Sequence, residues 1–159
     1  MAKVIDDRIL TELLRAPAQQ RLFVYGTLMS SAGSDYGQLA RARLLQEAPH
    51  RFAAQMRGQL YELGQYPGLV ASCDADNLVH GQLLLLSSPS ATLAWLDDYE
   101  AISTAPGADN EYVRELRDVT IAGGPCVSSW VYSYVKSVVG LVRLTDGRWQ
   151  SHGRRQRVG

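Results

Sequence analysis

Little in this chain could hold it together covalently. It carries two cysteines in 159 residues, Cys73 and Cys126, too few for a disulfide framework or a Cys-rich zinc site. No run of about 18 consecutive apolar residues occurs, which excludes a membrane-spanning helix. Neither sign of charge is in excess, with 16 Lys plus Arg against 16 Asp plus Glu. A dedicated nucleic-acid binder needs a basic footprint, so no nucleic-acid partner is expected. Asp6, Asp7 and Glu12 interrupt the N-terminal stretch where a secretory signal would be unbroken and apolar, so the expected compartment is the cytoplasm. The histidines His50, His80 and His152 are isolated and lack the spacing of a metal-binding pair, so no metal is expected. Glycine-rich nucleotide loops and the G-x-S-x-G elbow are missing. Ser133-Tyr-Val-Lys136 matches S-x-x-K but stands at a strand end without its companion motifs.

What is present suits one domain that folds on its own core. Hydrophobic residues make up 46% and charged residues 20% of the chain, a globular balance. A chain of this length can bury roughly two-thirds of its surface. The neutral total is a cancellation, since Asp97–Asp118 is acid-rich and the chain after Lys136 is basic. Ile5, Ile9 and Leu13 recur at a spacing of four beside Leu10 and Leu14, which predicts an amphipathic helix over Ala2–Leu14, stopped by Ala16-Pro17. Strands are predicted at Arg21–Tyr25, Gln55–Leu63, Leu69–Ser72, Leu78–Leu86, Tyr112–Val119 and Ser128–Val135. The Leu83–Leu86 run marks a strand buried on both faces. Gln38–Gln46 fits either a helix or a strand. Ser88-Pro89-Ser90 starts a helix, with a hydroxyl cap and Pro in its first turn. The expected class is α+β, with residues 1–20 a helical extension, 21–150 the domain and 151–159 a basic tail.

Two places could carry chemistry. On a helical wheel running to Tyr99, the residues Leu93, Trp95, Leu96 and Tyr99 form an apolar arc. Glu100 falls within it, Asp98 faces solvent and Asp97 stands at the edge. Burial and the helix C-terminus would both raise the Glu100 pKa, as a general base working near neutral pH requires. The plain alternative is a Glu100 that swings out to solvent or pairs with an Arg. The second place is Tyr25-Gly26-Thr27-Leu28, where a strand ends in Gly. Its exposed N–H groups could cradle an anion, and Gly26 could let a ligand approach the backbone closely. The plain alternative is an ordinary turn.

Several segments, in order, resemble one known family. Leu22-Phe-Val-Tyr-Gly-Thr-Leu-Met29 is similar to the signature loop of the gamma-glutamylcyclotransferase-like superfamily. Gly58-Gln-Leu-Tyr-Glu-Leu-Gly-Gln-Tyr-Pro-Gly68, Val79-His-Gly-Gln-Leu83 and Leu96-Asp-Asp-Tyr-Glu100 resemble its next three motifs. Glu111-Tyr-Val-Arg114, Trp130-Val-Tyr132 and Gly147-Arg-Trp149 resemble its late strands and the G-x-W of its small bacterial members. The resemblance spans about Arg21 to Trp149. It implies a small mixed domain around a strongly curved, barrel-like sheet with a few short helices and a pocket at one end. It also implies cleavage of gamma-glutamyl amides without water, releasing 5-oxoproline and a free amine from a small-molecule substrate, with no cofactor.

Carried over, Glu100 is the catalytic acid/base and Tyr25, Gly26, Thr27 and Leu28 bind substrate. Tyr112 and Tyr132 are expected to line the pocket or to pack in the core. Glu111 is a fallback acid that could equally be a surface residue at a strand start. Two departures stand out. Ala101 takes the position where family members carry Gly, and Ile102–Asn110 is long enough to cover or reshape the pocket. Small bacterial members do not all keep the acid, whereas this chain does. The rival readings are a non-catalytic binding module for a small carboxylated, gamma-glutamyl-like ligand, and an interaction protein working through its terminal extensions.

Overall fold

A computed structural model describes residues 7–30, 32 and 35–149. Ile5 and the basic tail over 151–159 lie outside the described residues. The secondary structure starts with helix α1 (Asp7–Arg15), a 3₁₀ turn (Ala18–Gln20) and strand β1 (Arg21–Val24). Helix α2 (Gln38–Glu47), strands β2 (Arg51–Glu62), β3 (Pro67–Ala71) and β4 (Leu78–Leu85), and helix α3 (Pro89–Tyr99) come next. Strands β5 (Tyr112–Ile121), β6 (Cys126–Tyr134) and β7 (Arg143–Leu144) complete it.

The sheet is a closed barrel of five strands. Its order runs β2-β4-β1-β6-β5, and β5 pairs back to β2 through Ala54↔Ile121 and Gln55↔Thr120. Only β1 with β6 pairs in parallel among the described strands, at Leu22↔Trp130 and Phe23↔Val131. β2 is long enough to leave the barrel. Its first half pairs with β4, and from Gly58 onward it pairs with β3 on one side and β7 on the other.

Residues that alternate along a strand face opposite sides of the sheet, and β2 obeys this closely. Phe52, Ala54, Met56 and Leu60 are buried, while Ala53 and Arg57 between them are exposed. The strand starts at Arg51 rather than at the expected Gln55, because Ala53 and Ala54 carry too little hydrophobic contrast to show the alternation. Of the Leu83–Leu86 run, expected to be buried on both faces, Leu83, Leu84 and Leu86 are buried, while Leu85 is only half-buried because its side of the sheet is not fully covered. Gly81 is tied to the barrel wall, since a Cβ there would run into the Val24 carbonyl and the Phe23 ring.

The helices are held on by specific contacts. Gln38–Gln46, ambiguous by pattern, is helix α2. Leu44 is its only buried side chain, and Leu39 is almost wholly exposed, which explains the weak periodicity. Glu47 joins α2 to α3, accepting from Thr92 Oγ1 (2.6 Å) and Trp95 Nε1 (3.0 Å). In α3, Thr92, Leu93 and Leu96 face the core, matching the predicted arc. Ser88 precedes α3, but its side chain makes no capping bond. α1 runs one residue past the expected Leu14, and Leu13 is fully buried against the barrel.

Arg21 pins that junction. Its buried guanidinium donates to the carbonyls of Leu13 (2.9 Å), Ala16 (2.6 Å) and Ser128 (2.8 Å). An acceptor left buried without its donor costs about 1–3 kcal/mol. Arg21→Met is therefore expected to lower unfolding free energy by about 2 kcal/mol in urea titration and to speed proteolysis between α1 and β1.

Candidate active site

The cavity opens at the barrel end where four segments meet: the loop after β1, the end of α3, the start of β3 and the start of β5. Its volume is about 230 Å³. Tyr25, Gly26, Thr27, Leu28, Glu100, Tyr112 and Tyr132 all line it. The structure thus brings together every residue singled out from the sequence. Glu111, the fallback acid, lines it too, and the structure adds Tyr36, Tyr66, Pro67 and Tyr99. Tyr66 stood inside a quoted motif and Tyr99 on the helical arc, but Tyr36 sits in a Ser- and Gly-rich loop without periodic signal. No Lys, Arg or His lines this cavity among the described residues.

Glu100 reaches the cavity because of how α3 ends. The N–H of Ala101 donates to the Asp98 carbonyl (3.0 Å) and that of Ile102 to the Asp97 carbonyl (2.9 Å). This pair of bonds is a Schellman ending, which needs a left-handed residue one position past the cap. Ala101 supplies it at φ 56°, the only non-glycine residue with positive φ among those described. The chain therefore makes with Ala a turn that favours glycine, at a backbone cost of about 1–2 kcal/mol. The Ile102–Asn110 segment does not cover the pocket. Asn110 closes its neck, donating to the Ser103 carbonyl and accepting from the Ser103 N–H at 3.0 Å each, and its residues do not line the cavity.

The carboxyl of Glu100 is pushed up to about 7, first by burial and then by the negative charges of Glu111 and Asp97. Glu111 sits at the exposed mouth and accepts from the Tyr66 hydroxyl (3.0 Å). Asp97 is not an idle edge residue. It receives both Nε (2.9 Å) and Nη2 (3.1 Å) of Arg114 and the hydroxyl of Tyr132 (2.7 Å). The sequence wheel missed this because the partners come from β5 and β6.

The tyrosines are at once core and wall. Tyr112 and Tyr132 are both buried, and Tyr112 donates to the Pro67 carbonyl (2.7 Å). Tyr25 donates to the Tyr132 carbonyl (2.6 Å). Rings run from Tyr36 to Tyr66 (5.5 Å), Tyr112 (6.4 Å) and Tyr134 (5.7 Å). Burial raises the hydroxyl pKa of Tyr25, Tyr112 and Tyr132, so they stay neutral donors.

The role expected of Gly26 changes. It is not in the left-handed region, and the side where a Cβ would stand is filled by Pro67, at 2.6 Å from Cγ. Packing against Pro67 requires glycine there, and Gly26 also lines the cavity. The loop closes as a turn, with the Met29 N–H donating to the Gly26 carbonyl (3.1 Å). Among the described residues no three His, Cys, Asp or Glu side chains gather as metal ligands. Ser133 is buried in β6, whereas Lys136 pairs with Asp109.

A small closed barrel with a tyrosine-walled pocket and a carboxyl at a helix end defines a protein of the gamma-glutamylcyclotransferase-like fold. The crystal structure of an AIG2-like protein from Mus musculus superposes with a TM-score of 0.62 at 20% identity, covering 86% of this chain and 92% of that one. The solution structure of ytfP from Escherichia coli superposes with a TM-score of 0.52 at 30% identity, covering 83% and 97%. In sequence, the gamma-glutamylcyclotransferase family proteins YtfP of Escherichia coli K12 and ytfP of Citrobacter rodentium are each 36% identical over 129 residues. These matches cover 81% of this chain and 95% and 94% of theirs. The family model "Gamma-glutamyl cyclotransferase, AIG2-like" matches residues 22–151. The chain belongs to that family, on its bacterial branch.

Two measurements follow from the end of α3. Ala101→Gly relieves the left-handed strain and is expected to raise unfolding free energy by about 1 kcal/mol. Glu100 holds its proton more tightly when folded, so its contribution to stability is present below about pH 4.5 and lost as pH rises to about 7. Glu100→Gln should therefore gain stability over wild type across that window, by on the order of 2 kcal/mol after allowance for solvent access.

Proposed function

We propose that the chain is an enzyme that cyclises gamma-glutamyl amides, releasing 5-oxoproline and a free amine, with Glu100 as the acid/base. The observation that carries this reading is a carboxyl poised near 7 in a cavity that holds no cationic side chain. The substrate's α-ammonium is the cation such a cavity lacks.

Glu100 takes one proton from the α-ammonium, and the freed amine attacks the γ-carbonyl carbon. Glu100 then returns a proton to the leaving nitrogen as the C–N bond breaks. The ring nitrogen's remaining surplus proton passes through Glu100 to solvent, and the released amine takes one up from solvent. Attack within one molecule gains from being held folded, and the narrow tyrosine walls supply that restraint. N–H groups of the Tyr25–Leu28 loop stand as donors to the developing oxyanion, and the hydroxyls of Tyr112 and Tyr132 keep the walls in place.

Residues 21–150 form the catalytic unit in this reading, with residues 1–20 and 151–159 outside it. Two exposed, unpaired cysteines suit work in the reducing cytoplasm. Among the described residues no helix is long and apolar enough to cross a membrane.

The test is 5-oxoproline release from a panel of gamma-glutamyl dipeptides and amines. Wild type is expected to turn over at least one member, with kcat/KM rising with pH as Glu100 ionises near 7. Glu100→Gln should lose turnover by at least about a hundredfold, the lower range for a general base, while keeping its circular dichroism. Wild-type-like release by Glu100→Gln would overturn the role of Glu100. Tight binding without turnover across the panel would favour the binding-module reading.

A further inference from the structure

The site has a charge problem that the cavity wall does not solve. A gamma-glutamyl substrate brings a carboxylate, and its cyclisation develops an oxyanion. Yet the titratable groups facing the cavity that carry charge are Glu100 and Glu111. The cations are one layer back. Arg41, from α2, donates through Nη1 to the Thr27 carbonyl (2.9 Å). Arg51, at the start of β2, donates through Nη1 to the next carbonyl, Leu28 (3.0 Å), and to Gln82 Oε1 (3.1 Å). Gln82 also fixes Ser30, accepting from its N–H (2.8 Å) and donating to its Oγ (2.9 Å). Neither arginine lines the cavity, whereas Thr27 and Leu28 both do.

Peptide geometry turns these contacts into an orientation. In a planar trans peptide the C=O and the following N–H point in opposite directions. A Thr27 carbonyl held on an arginine outside the cavity turns the Leu28 N–H toward it. The Leu28 carbonyl, held the same way, turns the Met29 N–H inward, where the Gly26 carbonyl takes it up (3.1 Å). Leu28 is then the donor left for a ligand. A hydrogen bond from a charged donor is about twice as strong as a neutral one, and it polarises the peptide so that the far N–H donates better. Arg51 is held in this place by Nη1, its one nitrogen with partners there, on the Leu28 carbonyl and Gln82 Oε1.

We propose that Arg41 and Arg51 are positioning residues that turn the Thr27 and Leu28 carbonyls out of the cavity and so aim the Leu28 N–H at the oxyanion. The inference rests on the cyclisation reading for its kinetic arm alone. Its structural arm is the Leu28 amide itself.

The experiment uses full-length, ¹⁵N-labelled protein. Arg41→Met is expected to lower kcat for 5-oxoproline release about tenfold or more, on the scale of a lost oxyanion donor, with KM changed less than about threefold. Arg41→Lys, which can still donate to the Thr27 carbonyl, should recover most of kcat, a recovery that a loss of general packing would not give. In ligand-free protein, Arg41→Met should move the Leu28 amide cross-peak, leaving Leu83 and Leu84 unmoved. Arg51→Met is read at kcat and at the Met29 amide, which follows the carbonyl that Arg51 holds, with Arg51→Lys as its rescue. A wild-type kcat in Arg41→Met, or an unmoved Leu28 amide, overturns the inference. If wild type releases no 5-oxoproline from any panel member, the cyclisation reading falls, and the Leu28 amide still decides this one.

Discussion

The pairing of Ala54 and Gln55 with Ile121 and Thr120 turns a twisted sheet into a closed five-stranded barrel, and the site depends on that closure. Closure fixes the far end of β5 on β2, and the ladder of β5 with β6, from Thr120↔Cys126 to Tyr112↔Tyr134, carries that position to the barrel mouth. There Tyr112 reaches the Pro67 carbonyl and Tyr25 reaches that of Tyr132. These bonds fasten the cavity wall to the barrel's own core. The wall is rigid because its tyrosines are packing residues first. A change in any of them is therefore expected to disturb fold and site together.

The electrostatics are layered. Acids occupy the cavity and its rim, and basic groups stand behind the wall. Arg114 neutralises Asp97 behind Tyr132, while Arg41 and Arg51 grip the loop from outside. Glu100 is left without a cationic partner, and its burial, with the negative charges of Glu111 and Asp97 added, holds its proton to about pH 7. A lysine or arginine placed directly in the cavity would pair with Glu100 and pull that value down. The cations thus stand one peptide away from the cavity, on the Thr27 and Leu28 carbonyls.

Much of this was legible in the residues. The buried leucine run of β4, the arc of α3 and the inward position of Glu100 follow from periodicity, because each is decided within one element. The ordered motifs pointed to the family, which the comparisons bear out. Three features were not legible. Gln38–Gln46 hid its helix because a single leucine buries it. Asp97 looked peripheral because its partners lie on β5 and β6. Arg41 and Arg51 gave no signal at all, since an arginine bound to a distant carbonyl leaves no spacing in the sequence.

Local chemistry alone therefore determined where most strands and helices form, α2 excepted, and that of Asp97, Asp98 and Glu100 the last turns toward the cavity. Ala101 shows the limit. The residue suggested a departure from the family turn, yet the chain holds it in the left-handed region at φ 56°, because the packed end of α3 outweighs a local cost of about 1–2 kcal/mol. Gly26 makes the same point from the other side, as its small size makes room for Pro67, a residue far from it in sequence. What only the tertiary structure decided is which groups face one another across the barrel mouth. Those distances are set by closure between strands far apart in sequence, and no pattern within a single element encodes them.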